Sequence, residues 1–220
     1  MSHGLFTSTL VALSVLFASA GTVVSADARS ASRPIRIVAF GDSLTAGYGL
    51  RPAQAFPARL QAALRAKGYD VTVANAGVSG NTTSAGLARV QRAVPGGTDL
   101  TIVELGANDI LRGVPPGTSE RNLDAILDHV GKKSPHIVLA GMIAPPGFDN
   151  ADSRSFDSVF TRLADRHRAT LYPFFLKGVA GRRGLNLPDG IHPNAAGVEE
   201  IVVGILPTIM RELEAMRVGG

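Results

Sequence analysis

The sequence predicts one α/β domain: an open, mostly parallel β-sheet with helices on both faces. Three observations lead there. Short apolar runs alternate with helical patterns along the chain after Arg33. The runs are nearly continuous in hydrophobicity, as in strands covered on both faces. The chain has 220 residues, 45% of them hydrophobic, enough for one sizeable core.

In chain order, strands are expected at Ile35–Phe40, Val71–Asn75, Leu100–Leu105, Ile137–Ile143 and Thr170–Phe175. Apolar residues spaced three and four apart predict helices at Phe56–Lys67, Ala85–Ala93, Glu120–Gly131 and Phe156–Arg168. A last helix is expected from near Asn194 towards Arg217, kinked at Pro207 because proline removes a helical N–H. No repeat or low-complexity linker breaks the alternation.

The N-terminal segment reads differently. An apolar stretch runs from Leu5 to Ala20, followed by small residues and the A-x-A-like "VSA" of Val24 to Ala26. It is short for a membrane span, and the expectation is a cleaved secretory signal over residues 1–26. Residues Ala18 to Ala20 offer a second cleavage point, and His3 stands where a Lys or Arg is usual. The expected product is an exported, periplasmic or secreted, single domain over residues 27–220.

Composition narrows the function. Charged residues make up 18%, and the formal net charge is +4. Apart from Lys132-Lys133 and Arg182-Arg183 the positive charge is scattered, with no aromatic interleaving, which argues against nucleic acid. Weak attraction to an anionic lipid surface remains compatible. Cysteine is absent, which removes disulfides, thiolate nucleophiles and cysteine metal sites together.

Ligands of open parallel sheets bind outside the carboxyl ends of the strands. Three loops there stand out: "GDSLTAGYG" after the first strand, "AGVSGNTT" after the second and "GANDILRG" after the third. "PDGIHPN", before the last helix, can reach the same edge. Ser43 in the first loop is by itself a turn residue or helix cap. As a nucleophile it needs a neighbouring base.

Of the five histidines, His3 lies in the signal segment, and His129 and His167 fall in charged helical patterns. His136 precedes the fourth strand, at the opposite edge. His192 is held between Ile191 and Pro193, and proline biases its backbone towards an extended form. Asp189 stands three residues earlier, with Gly190 allowing a sharp turn. Its carboxylate could accept the Nδ1 proton and stabilise the imidazolium. An Asx turn with a capping histidine accounts for "DGIH" equally well. Acyl transfer also needs oxyanion donors, each worth about 3 kcal/mol in a dry site. The Ser43 and Gly80 N–H groups and the Asn108 amide are candidates, although Gly80 and Asn108 alone would read as turn residues.

"FGDSLTAGYG", the glycine of "NAGVSGNTT", "ELGANDILRG" and "DGIHPN" together resemble the four ordered blocks of the SGNH or GDSL hydrolases, from about Ile35 to Met210. The resemblance implies a flavodoxin-like three-layer α/β/α sandwich with a five-stranded parallel sheet. It implies Ser43 as nucleophile with Asp189 and His192, an oxyanion hole of Ser43, Gly80 and Asn108, and no metal or cofactor. "TAGYGL", "VELGANDILRG" and "YPFFL" are most similar to the exported bacterial thioesterase, arylesterase and lysophospholipase branch. There the loops Ile110 to Pro116 and Pro145 to Asn150 would shape the acyl pocket. Asp42, Leu44, Ile110, Leu111, Pro145, Pro146 and Ile191 are the candidate substrate contacts, for a small-molecule ester or thioester.

Three other readings fit less well. A phosphate-binding module would carry G-x-x-x-x-G-K-[ST] or G-x-G-x-x-G, and Asp42 would repel an anion. An α/β-hydrolase-fold esterase would carry G-x-S-x-G, absent from this chain. A sugar O-acetyl esterase of the same family differs only in its loops.

Overall fold

The computed structural model describes Met1 and residues 33–144 and 151–218. The expected signal segment, and Pro145 and Pro146 with their loop, lie outside the described residues. The chain divides into two compact units, Met1–Arg33 and Pro34–Gly220, and the α/β fold belongs to the second.

Its strands are β1 (Ile35–Gly41), β2 (Val71–Gly77), β3 (Leu100–Glu104), β4 (His136–Ala140) and β5 (Thr170–Tyr172). They form one sheet in the order β2-β1-β3-β4-β5, every pair parallel. The helices are α1 (Ser43–Ala46), α2 (Phe56–Ala66), α3 (Thr83–Leu87), α4 (Val90–Ala93), α5 (Ala107–Leu111), α6 (Pro116–Gly131), α7 (Ala151–His167) and α8 (Ala195–Val218). Helices α2 and α8 pack together on one face, and α3, α6 and α7 on the other. This is the three-layer, flavodoxin-like α/β/α sandwich, whose chain reverses direction across the sheet between β1 and β3. The register sets Gly41 between Gly77 and Glu104, and Glu104 beside Ala140, so four strands end nearly level.

Strands β1, β3 and β4 are buried almost throughout, as continuous apolar runs require. β2 departs from the expectation: Thr72, Ala74 and Asn75 are exposed, because it is an edge strand incompletely covered. Below and above the sheet Phe40, Phe56, Phe156, Phe160 and Phe175 are fully buried, with Phe56 set edge-on to Phe175 at 5.0 Å.

Several boundaries move from where the sequence put them. The helix expected over Ala85–Ala93 is two short ones. They break at Arg89, whose backbone (φ −122°, ψ −7°) leaves the helix while its side chain turns to the strand ends. Helix α6 begins at Pro116 rather than Glu120, since proline's fixed φ suits a first helical turn. Helix α7 begins at Ala151 rather than Phe156. β4 stops at Ala140, where a Cβ on Gly141 would lie 2.3 Å from the Pro173 carbonyl oxygen. β5 stops at Tyr172, before Pro173, which has no N–H for a ladder. Helix α8 runs on through Pro207. Among the described residues no helix is long and apolar enough to cross a membrane.

Candidate active site

The chain leaves β1 through Gly41, where space is short: an added Cβ would sit 2.2 Å from Thr45 Oγ1 and 2.5 Å from Glu104 Oε2. Asp42 then caps α1, its Oδ1 accepting the Leu44 N–H at 2.9 Å, and Ser43 opens the helix. Helix α1 is one turn long and ends at Gly47 in a left-handed conformation, φ +81°. The Ser43 hydroxyl is thereby fixed at the sheet edge on a short, capped turn.

The partner loop is built from 186 to 194. Asn186 and Pro193 form an antiparallel bridge, and the Leu187 N–H donates to the His192 carbonyl at 2.7 Å. Asn194 holds the far side: its Nδ2 donates to the Gly184 carbonyl at 2.9 Å and its Oδ1 accepts the Gly197 N–H at 3.0 Å, at the start of α8. Gly190 makes the turn at φ +72°. Asp189 Oδ1 accepts the Ile191 and His192 N–H groups at 2.9 and 3.0 Å.

Asp189 Oδ2 lies 2.7 Å from His192 Nδ1, and His192 Nε2 lies 2.9 Å from Ser43 Oγ. A carboxylate only accepts, so Nδ1 carries the proton and Nε2 faces the serine hydroxyl as acceptor. Partial burial opposes the Asp189 charge. The two backbone donors and the imidazole outweigh it and hold the carboxyl at about 2. Tyr48 lies over the imidazole, ring centroids 4.4 Å apart and tilted by 33°.

Gly80 sits in the turn after β2 at φ +80°, its carbonyl accepting from Arg112 at 3.1 Å. Neither its N–H nor that of Ser43 donates to an acceptor among the described residues. Asn108, on the first turn of α5, differs from the expectation. Its Nδ2 donates to Asp42 Oδ2 at 3.0 Å and to the Asn81 carbonyl at 3.1 Å, so both amide protons have partners. Among the described residues no group of three or more His, Asp or Glu side chains could hold a metal ion.

This site has the shape of a serine hydrolase's, and the sequence comparison decides which kind. Residues 39–199 match the GDSL-like Lipase/Acylhydrolase family. The chain belongs to that family. It is 34% identical over 174 residues to the esterase TesA of Pseudomonas aeruginosa, covering 79% of this chain and 87% of that one. It is 33% identical over 159 residues to the thioesterase 1/protease 1/lysophospholipase L1 of Escherichia coli, covering 72% of this chain and 75% of that one. Among solved structures, AlinE4, an SGNH-hydrolase family esterase, superposes with a TM-score of 0.70 at 43% identity, covering 84% of this chain and 99% of that one.

Within this GDSL-family fold the expected substrate contacts separate. Asp42 is fully buried and Leu44 only 5% exposed: Asp42 accepts hydrogen bonds from Leu44 and Asn108, and Leu44 packs in the core. Ile110 is half-buried against the core, while Leu111 and Ile191 are exposed. Tyr48, Glu104, Arg89 and Arg112 were not among the expected site residues. Glu104 had a signal, a lone charge at the end of the apolar run "LTIVE". The other three are read only from the fold.

Proposed function

We propose that this protein hydrolyses carboxylic esters and thioesters of small to medium acyl chains through an acyl-enzyme on Ser43. The chain of hydrogen bonds from Asp189 through His192 to Ser43, at 2.7 and 2.9 Å, carries this reading. His192 Nε2 takes the hydroxyl proton as Oγ attacks the carbonyl carbon, and Asp189 stabilises the imidazolium. The N–H groups of Ser43 and Gly80 receive the oxyanion. The Asn108 amide joins them by releasing the Asn81 carbonyl while keeping Asp42. His192 then returns the proton to the leaving alcohol or thiol, and a water activated in the same way releases the acid.

We propose further that the protein is exported, with residues 1–26 as its signal, on the strength of the apolar stretch and "VSA". N-terminal sequencing of exported material tests this, and an intact Met1 would refute it.

The catalytic reading is tested with p-nitrophenyl acetate and butyrate. Ser43→Ala abolishes turnover while leaving the circular dichroism spectrum unchanged, and a phosphonate adds its mass to the Ser43 peptide of the native protein. Turnover near the native level in Ser43→Ala sinks the assignment.

A further inference from the structure

Glu104 ends β3 with 1% of its surface exposed. Its Oε2 accepts the Thr45 hydroxyl at 2.7 Å and the Asp42 N–H at 3.3 Å, while its buried Oε1 takes no donor. Asp42, fully buried beside it, accepts the Leu44 N–H on Oδ1 and the Asn108 amide on Oδ2. Glu104 makes no ion pair among the described residues.

Two carboxyls this close in a dry place do not both ionise. Asp42 is the better seat for the charge. Both of its oxygens have a donor, whereas both Glu104 donors fall on Oε2, and the charges of His192 in the 186–194 loop and Arg89 in the turn between α3 and α4 act on it. Glu104 faces no cation, only Asp42, and burial followed by that charge pushes its carboxyl well above the usual range. Oε2 is already taken by the Thr45 hydroxyl and the Asp42 N–H, so the free Oε1 is where a Glu104 proton fits.

We propose that Glu104 is a positioning residue of this site: as a neutral acid it donates to the Asp42 carboxylate, and through Asp42 it fixes the Asn108 amide at the nucleophile turn. Asp42 is then a hub for three donors, from Leu44, Asn108 and Glu104. With the Glu104 donor removed, Asp42 swings towards its remaining partners and the Asn108 N–H edge loses its set direction. The effect falls on the transition state, where the amide is needed, and so on kcat. This inference rests on the proposed role of Ser43.

The test compares the native full-length protein with Ser43→Ala, Glu104→Ala and Glu104→Gln, reading kcat and KM separately with p-nitrophenyl butyrate at about pH 8. Glu104→Ala is expected to lower kcat about tenfold or more with KM within about threefold, the pattern of an interaction made in the transition state. Glutamine has the acid's shape and donates from its amide where the acid donates its proton, so Glu104→Gln is expected to restore kcat to within about threefold of native. Infrared spectra should carry the C=O stretch of a protonated carboxyl in the native protein at about pH 8, where solvated carboxyls are ionised, and lose it in Glu104→Gln. A Glu104→Gln variant as impaired as Glu104→Ala, a native kcat in Glu104→Ala, or a missing band overturns the inference. Should Glu104→Ala fail to fold, the glutamine variant and the band decide alone. An inactive Ser43→Ala beside an unaffected Glu104→Ala overturns this inference only. An active Ser43→Ala overturns the catalytic reading and this with it.

Discussion

His192 is held from three directions: Asp189 at Nδ1, Ser43 at Nε2 and the Tyr48 ring on its face. The tyrosine contact also strengthens as the imidazole takes a proton, adding to what Asp189 supplies, because an aromatic face attracts a cation. A ring contact of this kind is worth about 0.5 to 1.5 kcal/mol, so Tyr48→Ala should lower kcat/KM for p-nitrophenyl butyrate by about two- to tenfold. Tyr48→Phe should retain most of it, since the ring and not the hydroxyl makes the contact. A native rate in Tyr48→Ala removes the ring from the mechanism. Asp189→Asn acts differently. The amide can present an N–H to Nδ1 and drive the proton to Nε2, where it blocks acceptance from Ser43. The expected loss in kcat is about a hundredfold or more, with circular dichroism unchanged. The carboxylate itself stays charged down to about 2, and what it lends to stability is present above about 4 and lost as pH falls from there through about 2.

Among the elements, the turn between α3 and α4 does more for the site than its length suggests. Arg89 donates to the Gly41 carbonyl at 2.7 Å, the Ala76 carbonyl at 2.9 Å and Asn81 Oδ1 at 2.6 Å, and its guanidinium lies 4.3 Å from the Phe40 ring centre. One side chain thus ties the ends of β1 and β2 to the loop that carries Gly80 and Asn81. Removing it strips the Ala76 carbonyl of this donor and leaves the Gly41 carbonyl to the Val78 N–H at 3.0 Å, and Arg89→Ala should cost about 1 to 3 kcal/mol in urea unfolding. Lysine, with a single point charge, should not restore it. Unchanged unfolding midpoints in Arg89→Ala would show that solvent serves these carbonyls equally well. This arginine also explains a limit of the sequence. Apolar spacing over Ala85–Ala93 is helical, and the break at Arg89 arises from bonds to residues up to 48 positions away, which local pattern does not carry. The same holds for Asn108: its motif marks it as a donor, but its partners Asp42 and Asn81 come from two other loops.

For the molecule as a whole, hydrophobic runs located all five strands, because burial on both faces leaves a continuous apolar signature and parallel pairing demands helical crossovers. Where β4 stops was not legible, since that depends on the close approach of Gly141 to the Pro173 carbonyl. Ser43 and His192 are 149 residues apart, and ordered motifs placed them at one sheet edge before any contact was known. Glu104 belongs to this scale as well, for a buried acid taxes the stability of the entire fold. In the unfolded chain its carboxyl titrates near the ordinary value, whereas in the fold, burial and then Asp42 push it well above that. A raised acid contributes stability below its unfolded value, and that contribution is lost as pH rises through the folded one, at about 1.4 kcal/mol per pH unit. Asp42, pushed up to about 6 chiefly by burial, adds a similar loss between about 4 and 6. Glu104→Gln deletes the glutamate's share and relieves Asp42 of a neighbour that could become charged. The melting temperature of Glu104→Gln minus that of the native protein should therefore rise from about pH 5 to about pH 8, by several degrees, at about 2 to 4 °C per kcal/mol for a domain of this size. A difference that stays constant across that range would mean that Glu104 carries the same charge in the folded and unfolded chain. The buried acid would then be no proton store at all, and the chemistry argued for Asp42 and Asn108 would need another donor.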